Sequence, residues 1–251
     1  MNVSFETGMA VLEALAGSNC PKTIDQLSSQ TNFEQDIFHE TLRVLETSRY
    51  ISISRQSEVV TLSPKLWSLG FCSKAKADLK RVADHHLSEL VMSTGESACL
   101  AIIADREIVI AAGLNVPGPT GAEFEVGTKL PAQACAAGKA ILAFHPLDMI
   151  GELEESALAT IPAQHDPGAF RRELEEIRLQ GYAAHWSECD GRKCEIAAPI
   201  RCVDGVIEAA VCISGSPSRL TWEAIPAMAE RVLAAAERIS RELNYPRTEA
   251  A

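Results

Sequence analysis

The sequence has no CxxC pair, although it contains eight cysteines, so a closed zinc knuckle is not indicated. The cysteines, at positions 20, 72, 99, 135, 189, 194, 202 and 212, fall at irregular intervals. A chain of 251 residues buries enough core to stand without staples, and they read as free thiols of a reducing compartment. Long apolar runs are missing too. None approaches the roughly 18 residues of a membrane span, and no membrane partner is expected. Met1 to Glu6 offer no basic flank followed by an apolar core, so no signal peptide is expected and the location reads as cytoplasmic. Basic residues are in deficit, with 23 Lys and Arg against 34 Asp and Glu, a net charge of −11. Phosphate binding rests on clustered Lys and Arg, so any contact with nucleic acid must be confined to a small patch.

What is present is globular. An apolar share of 47% and a charged share of 23% exclude a disordered or collagen-like chain, and the length fits one large domain or two small ones. Residues 1–75 read as short helices followed by a hairpin. Phe5, Met9, Val11, Leu12 and Leu15 recur at helical spacing up to Gly17. Thr23 to Gln26 form a capping box for a short second helix. Asn32 is expected to cap a third, with Phe38, Leu42 and Leu45 turned inward and Gln35, Asp36, His39, Glu40 and Arg43 outward. Tyr50 to Ser54 alternates, Arg55 to Glu58 turns, and Val59 to Leu62 returns. This order describes a winged helix-turn-helix. A linker helix over 76–95 follows, with Leu79, Leu87, Leu90 and Val91 asking for apolar partners, and then residues 96–251. There Ala98–Ile103, Glu107–Ala112, Ile196–Ile200 and Val206–Ile213 read as strands, and Cys135–Phe144, Phe170–Gln180 and Thr221–Leu243 as helices. Val116 to Gly121 reads as a loop. The fold class is α+β, an N-terminal winged helix-turn-helix joined by a linker helix to an antiparallel sheet with helices on it.

Three motifs in order give this architecture a resemblance. They are Gly127 to Ala140, with Gly, a basic residue and Pro leading into a helix that ends Gly138-Lys139-Ala140; then Gly181-Tyr182-Ala183, Glu188 and Ile196-Ala197-Ala198-Pro199-Ile200; and last Val211-Cys212-Ile213-Ser214-Gly215. Over essentially its whole length the chain resembles the IclR family of bacterial transcriptional regulators. The resemblance implies a GAF-like effector domain for a small organic acid, operator DNA as partner, and a homodimer or tetramer.

Departures from the family pattern carry the most information. Family recognition helices usually offer Lys, Ser, Thr and Arg, where this chain has Gln35, Asp36, Ile37 and Glu40. Residues 1–75 hold six basic against eight acidic side chains, and carboxylates facing phosphates are repelled. The DNA-binding candidates are Gln35, Asp36, His39, Arg43 and Arg55, since Asp can accept from cytosine N4 and the others can donate to bases or phosphates. In the effector domain, positions that commonly face the ligand carry His185, Glu195 and Cys212, with Ser214 retained. Cys135 and Gly138, at the helix start, complete the candidate set for effector binding or catalysis.

Two functions from different classes stay open at this level. One is a regulator whose pocket senses a small anionic metabolite. The other is an enzyme on the same fold, a hydrolase, lyase or isomerase, with Cys212 or Cys135 as nucleophile or proton donor, His185 as base and Glu195 as orienting acid. No cofactor is expected, and zinc is a candidate because His185, Glu195 and Cys212 are all zinc-ligand types. A strand slip of one residue would turn Cys194 rather than Glu195 toward the pocket.

Overall fold

The computed structural model describes residues 3–17, 20–71, 74–117, 123–146, 167–186, 193–201 and 207–244. Gly118 to Gly121 of the expected loop, Glu188 of the second motif, and Cys72, Cys189 and Cys202 lie outside them. The chain divides into two compact units, Met1–Ala77 and Asp78–Ala251.

The first unit is a winged helix. It runs α1 (Val3–Ala16), β1 (Lys22–Thr23), α2 (Ile24–Thr31), α3 (Gln35–Thr47), β2 (Ile51–Ile53), β3 (Val59–Leu62) and α4 (Pro64–Phe71). The three strands form an antiparallel sheet in the order β1-β3-β2. Val11, Leu15, Leu27, Phe38, Leu42, Leu45, Ile51 and Val60 make its core. The capping box is in place: Thr23 Oγ1 accepts from the Gln26 N–H at 3.3 Å, and Gln26 Oε1 accepts from the Thr23 N–H at 3.0 Å. Asn32 acts differently from the expectation. It is the left-handed C-cap of α2 (φ 51°), giving its N–H to the Ser28 carbonyl, while α3 starts after Glu34 with no side-chain cap. Asn tolerates αL, and it makes the tight turn between the two helices there.

The second unit places one sheet between two layers of helix. α5 (Lys74–Thr94) leads to β4 (Ser97–Ala104), β5 (Glu107–Leu114) and β6 (Lys129–Pro131). A turn of 3₁₀ helix (Ala132–Ala134) then opens into α6 (Ala136–Leu142), and α7 (Pro167–Gln180), β7 (Ala183–Trp186), β8 (Cys194–Ile200), β9 (Ala209–Gly215) and α8 (Ile225–Asn244) follow. The six strands are antiparallel in the order β6-β5-β4-β9-β8-β7. α5 and α8 cover one face through Leu79, Leu87, Leu90, Val232 and Ile239, and α6 and α7 cover the other through Ile141, Leu142, Phe170 and Leu174. Central strand β9 is therefore buried along its entire length and reads as a continuous apolar run rather than an alternation. It begins at Ala209 and not at Val206, and α8 begins at Ile225 after turns from Thr221.

Leu79, Leu87 and Leu90 find their apolar partners inside this unit, at 5%, 0% and 2% exposure. They supply no argument for a partner subunit. α5 and α8 are also joined by His86, whose Nε2 lies 2.7 Å from Glu242 Oε1, while His85 faces Glu89 at 3.3 Å.

α6 approaches its own leading turn closely enough to need glycine. A Cβ on Gly138 would sit 1.9 Å from the Ala132 carbonyl oxygen, a backbone atom that cannot swing away. Gly138→Ala is expected to destabilise the second unit by about 3 kcal/mol through overpacking, read as a lower urea midpoint at unchanged slope. A midpoint equal to that of the unsubstituted protein would contradict this packing.

Candidate ligand site and DNA-facing surface

On the first unit, Gln35, Asp36, His39, Glu40 and Arg43 are all exposed along α3, and Arg55 is exposed in the turn joining β2 to β3. Phe38, Thr41, Leu42 and Leu45 point the other way into the core. His39 Nδ1 lies 2.8 Å from the Gln35 carbonyl, which ties the ring back along the helix. One helix face and the hairpin tip thus carry all five DNA-binding candidates. A second surface adjoins α1, where Phe5 and Met9 are 69% and 44% exposed. With Leu12, Val44, Tyr50 and Leu66 they line an apolar cavity of about 530 Å³.

On the second unit, strand register brings three of the candidates into one row. His185 on β7 lies opposite Glu195 on β8, and Glu195 lies opposite Ser214 on β9. Glu195 faces α6, where its Oε2 accepts from the Ala136 N–H at 3.2 Å. Cys194 belongs to the opposite core, among the residues packed by α5 and α8, which settles the register. One row further along, Cys212 lies opposite Cys99 on β4 and Ala197 on β8. Cys135 caps α6, its sulfur accepting from the Gly138 N–H at 3.4 Å. Ser214 Oγ is buried without a hydrogen-bond partner, as is Gln133 Oε1 in the turn before α6. Buried polar groups are nearly always paired, so each of these atoms carries a desolvation cost that a bound partner would relieve.

The electrostatics separate these groups. Burial pushes the Cys135 thiol up to about 12, with the nearby Glu195 charge adding to it. Its hydrogen bond with Cys99, then burial, holds Cys212 well above the usual thiol range. Thiolate is what attacks or binds metal, and both sulfurs stay protonated at neutral pH. Burial raises the Glu195 carboxyl, against the Ala136 N–H, Lys193 and Lys139, which favour its charge. Burial, then the Lys139 ammonium, lower His185 to about 4. Among the described residues no three His, Cys, Asp or Glu side chains come together as a metal-holding group. Strand pairing sets Cys212 in the row next to His185 and Glu195, hydrogen-bonded to another thiol, while Glu195 accepts from a helix N–H.

The profile described as "Bacterial transcriptional regulator IclR C-terminal" matches residues 73–241. The chain belongs to the IclR family of bacterial transcriptional regulators. It is 27% identical over 247 residues to the glycerol operon regulatory protein of Streptomyces coelicolor, covering 97% of each chain. It is likewise 27% identical over 242 residues to the HTH-type transcriptional regulator KdgR of Escherichia coli, covering 94% of this chain and 90% of that one. Among solved structures, an IclR homolog of Microbacterium hydrocarbonoxydans complexed with 4-hydroxybenzoate superposes with a TM-score of 0.79 at 22% identity, covering 96% and 98% of the two chains. An IclR transcriptional regulator of Alicyclobacillus acidocaldarius does so with a TM-score of 0.79 at 21% identity, over 96% and 98%. These two likenesses concern the fold. No helix among the described residues of this IclR-family chain is long and apolar enough to cross a membrane.

The sequence reading passed over Lys139 as part of a motif. Its side chain is buried, with Nζ 2.6 Å from Glu173 Oε1 on α7 and 3.4 Å from His185 Nδ1. A Lys between Gly138 and Ala140 on a helix made wholly of small and apolar residues had nowhere to go but inward, and a buried ammonium must be paired. Glu96 and Arg219 were missed for a different reason. They are 123 residues apart, and their bidentate bonds at 2.6 and 2.7 Å exist only in the fold. A Cβ on Gly215 would strike that Glu96 carboxylate at 2.1 Å.

An ammonium neighbour makes Nδ1 of His185 an acceptor and leaves the hydrogen on Nε2. The unfolded chain takes up this proton near pH 6.5, the folded chain only near pH 4. Between these values the unfolded state binds more protons, so this group lowers stability as pH falls from about 6.5 toward 4. A side-chain NMR titration is expected to show His185 neutral at pH 5.5, with its midpoint near 4. A midpoint at the ordinary imidazole value would contradict the burial and the Lys139 contact.

Proposed function

We propose that this IclR-family protein is a cytoplasmic regulator that reads operator DNA with α3 and the β2–β3 hairpin, and is set by a small organic acid bound where β7, β8 and β9 face α6. The observation that carries the reading is the row His185, Glu195 and Ser214, with a fully buried hydroxyl left unpaired, in the same chain as a winged helix with an open α3 face. Binding a small acid biases the protein between two arrangements only by its differential affinity for them. Cys135 and Gly138 shape the start of α6 beside this row, and Cys212 forms its floor. A thiol-based reaction is not favoured, because the two candidate sulfurs are protonated and His185 Nδ1 is turned to Lys139.

The acidic character of α3 makes the DNA contact electrostatically lean. Arg43 and Arg55 act as phosphate or base donors, Gln35 and His39 as base readers, and Asp36 as an acceptor for cytosine N4. In fluorescence anisotropy with the promoter fragment of the protein's own operon, Arg43→Ala and Arg55→Ala are each expected to flatten the salt slope by about one unit. Asp36→Ser with Glu40→Arg is expected to raise affinity. Absence of binding to that fragment at low salt would overturn the regulator reading.

A homodimer or tetramer accompanies this function, supported by the apolar cavity around Phe5, Met9 and Val44, which a monomer would leave wet. Light scattering at micromolar concentration is expected to give a mass of at least twice the chain, and Phe5→Glu to reduce it. A monomeric mass for the unsubstituted protein would refute the assembly.

A further inference from the structure

Two backbone N–H donors and the Lys139 ammonium around α6 are already engaged. The Ala136 N–H is given to Glu195 at 3.2 Å, and the Gly138 N–H to the Cys135 sulfur at 3.4 Å. The Lys139 ammonium is held by Glu173 at 2.6 Å and by His185 at 3.4 Å. Lys139 and Glu173 cancel each other, and the cysteine sulfurs are uncharged. Glu195 therefore remains as the acid that defines the row: burial raises its carboxyl, so its charge is costly there and is eased by the Ala136 N–H, Lys193 and Lys139. A second anion brought to this row makes the Glu195 charge costlier still, while a cation restores it, because charges at close range in a poorly solvated site interact strongly. A cation or strong donor meets its complement.

The neighbours of Glu195 point the same way. Gln133 Oε1, on the turn that leads into α6, is a buried acceptor with no donor. Ser214, directly across the β8–β9 pairing from Glu195, keeps a wholly buried hydroxyl unpaired and can donate or accept. His185, across the β7–β8 pairing, carries its hydrogen on Nε2 and is a neutral donor. A buried carboxyl whose charge a cation would stabilise, neutral donors beside it and an unsatisfied acceptor suit a molecule with both a positive and a negative end.

We propose that the ligand of this site presents an ammonium group to Glu195, so that the pocket takes a small acid of the amino-acid type in preference to a plain carboxylate. The inference rests on the ligand-sensing reading above. The ammonium pairs with the Glu195 carboxylate, and the acid end is left to the uncharged donors Ser214 Oγ and His185 Nε2. Glu195 is then the residue that sets ligand class, by adding a repulsion against the wrong partner as well as an attraction for the right one.

Calorimetric and thermal-shift titrations of the full chain at pH 7.5 test this with matched pairs of one carbon skeleton. The pairs are alanine and propionate, γ-aminobutyrate and butyrate, and 4-(aminomethyl)benzoate and 4-methylbenzoate. At least one amine-bearing member is expected to bind tenfold or more tighter than its amine-free partner, with E195Q abolishing that preference. If E195Q does not fold, E195D keeps the charge and is expected to weaken the preference without reversing it. Equal or tighter binding of the amine-free acids, a preference untouched by E195Q, or binding by no member of the panel would each overturn the ammonium assignment. The ligand-sensing reading falls on a separate result: a deproteinised metabolite extract that changes neither the melting temperature nor the affinity for operator DNA.

Discussion

A sheet covered on both faces leaves no water for the side chains between its layers. In the second unit α5 and α8 close one side and α6 and α7 the other. Every polar group on the inner surfaces must therefore find a partner within the protein or a bound molecule. Most do so in pairs that also hold elements together. Glu96 and Arg219 join the start of β4 to the segment after β9. Lys139 and Glu173 join α6 to α7, which a second bond from Arg178 Nε to the Ala143 carbonyl reinforces at 2.5 Å. Glu195 joins the sheet to α6. Set against this pairing, the unpaired Ser214 hydroxyl is an exception, and it lies in the row proposed above as the ligand site.

The winged unit obeys a simpler rule. Its core is small, and it leaves two surfaces outside: the α3 face proposed above to meet DNA, and the edge of α1 with Val44 proposed to meet a second copy. The two surfaces differ in kind, since the first is polar and net acidic while the second is nearly all hydrocarbon. Phosphate attraction is supplied by very few side chains, so sequence discrimination must rest on base edges and DNA shape to an unusual degree.

Much of this architecture was legible in the order of residues because it depends on local period. The stripe Phe38, Leu42, Leu45, the Thr23–Gln26 capping box and the alternation through Tyr50 to Ser54 each fix an element without reference to the rest of the chain. Features that failed to show were those decided by another segment. Asn32 looks like an N-cap from sequence, yet its left-handed backbone serves the helix before it. Leu79 and Leu87 look unpartnered until β8, β9 and α8 arrive from more than a hundred residues away. For the site, His185, Glu195 and Ser214 could be selected because they fall where the resembled family commonly faces its ligand, and strand pairing sets the three in one row. Lys139 could not, since its role depends on Glu173 and on a helix too poor in polar groups to offer any other exit. A rule that an isolated Lys within a run such as Ala136 to Leu142 is buried and paired would have found it.

The walls around that row are built from very small parts. Ala197 and Ala210 on the sheet, Ala136, Ala137 and Ala140 on α6, and the cysteines at 99, 135 and 212 are nearly all methyl-sized or one atom larger, and all are buried. Side chains as small as these leave little to trim and, packed in the core, no room to thicken. The row's tastes can drift only by exchanges of one or two atoms, such as thiol for hydroxyl or methyl for hydrogen, or by a change of charge at a position like 195. For the ligand site proposed there, diversification proceeds in jumps of chemical character rather than by gradual changes of size.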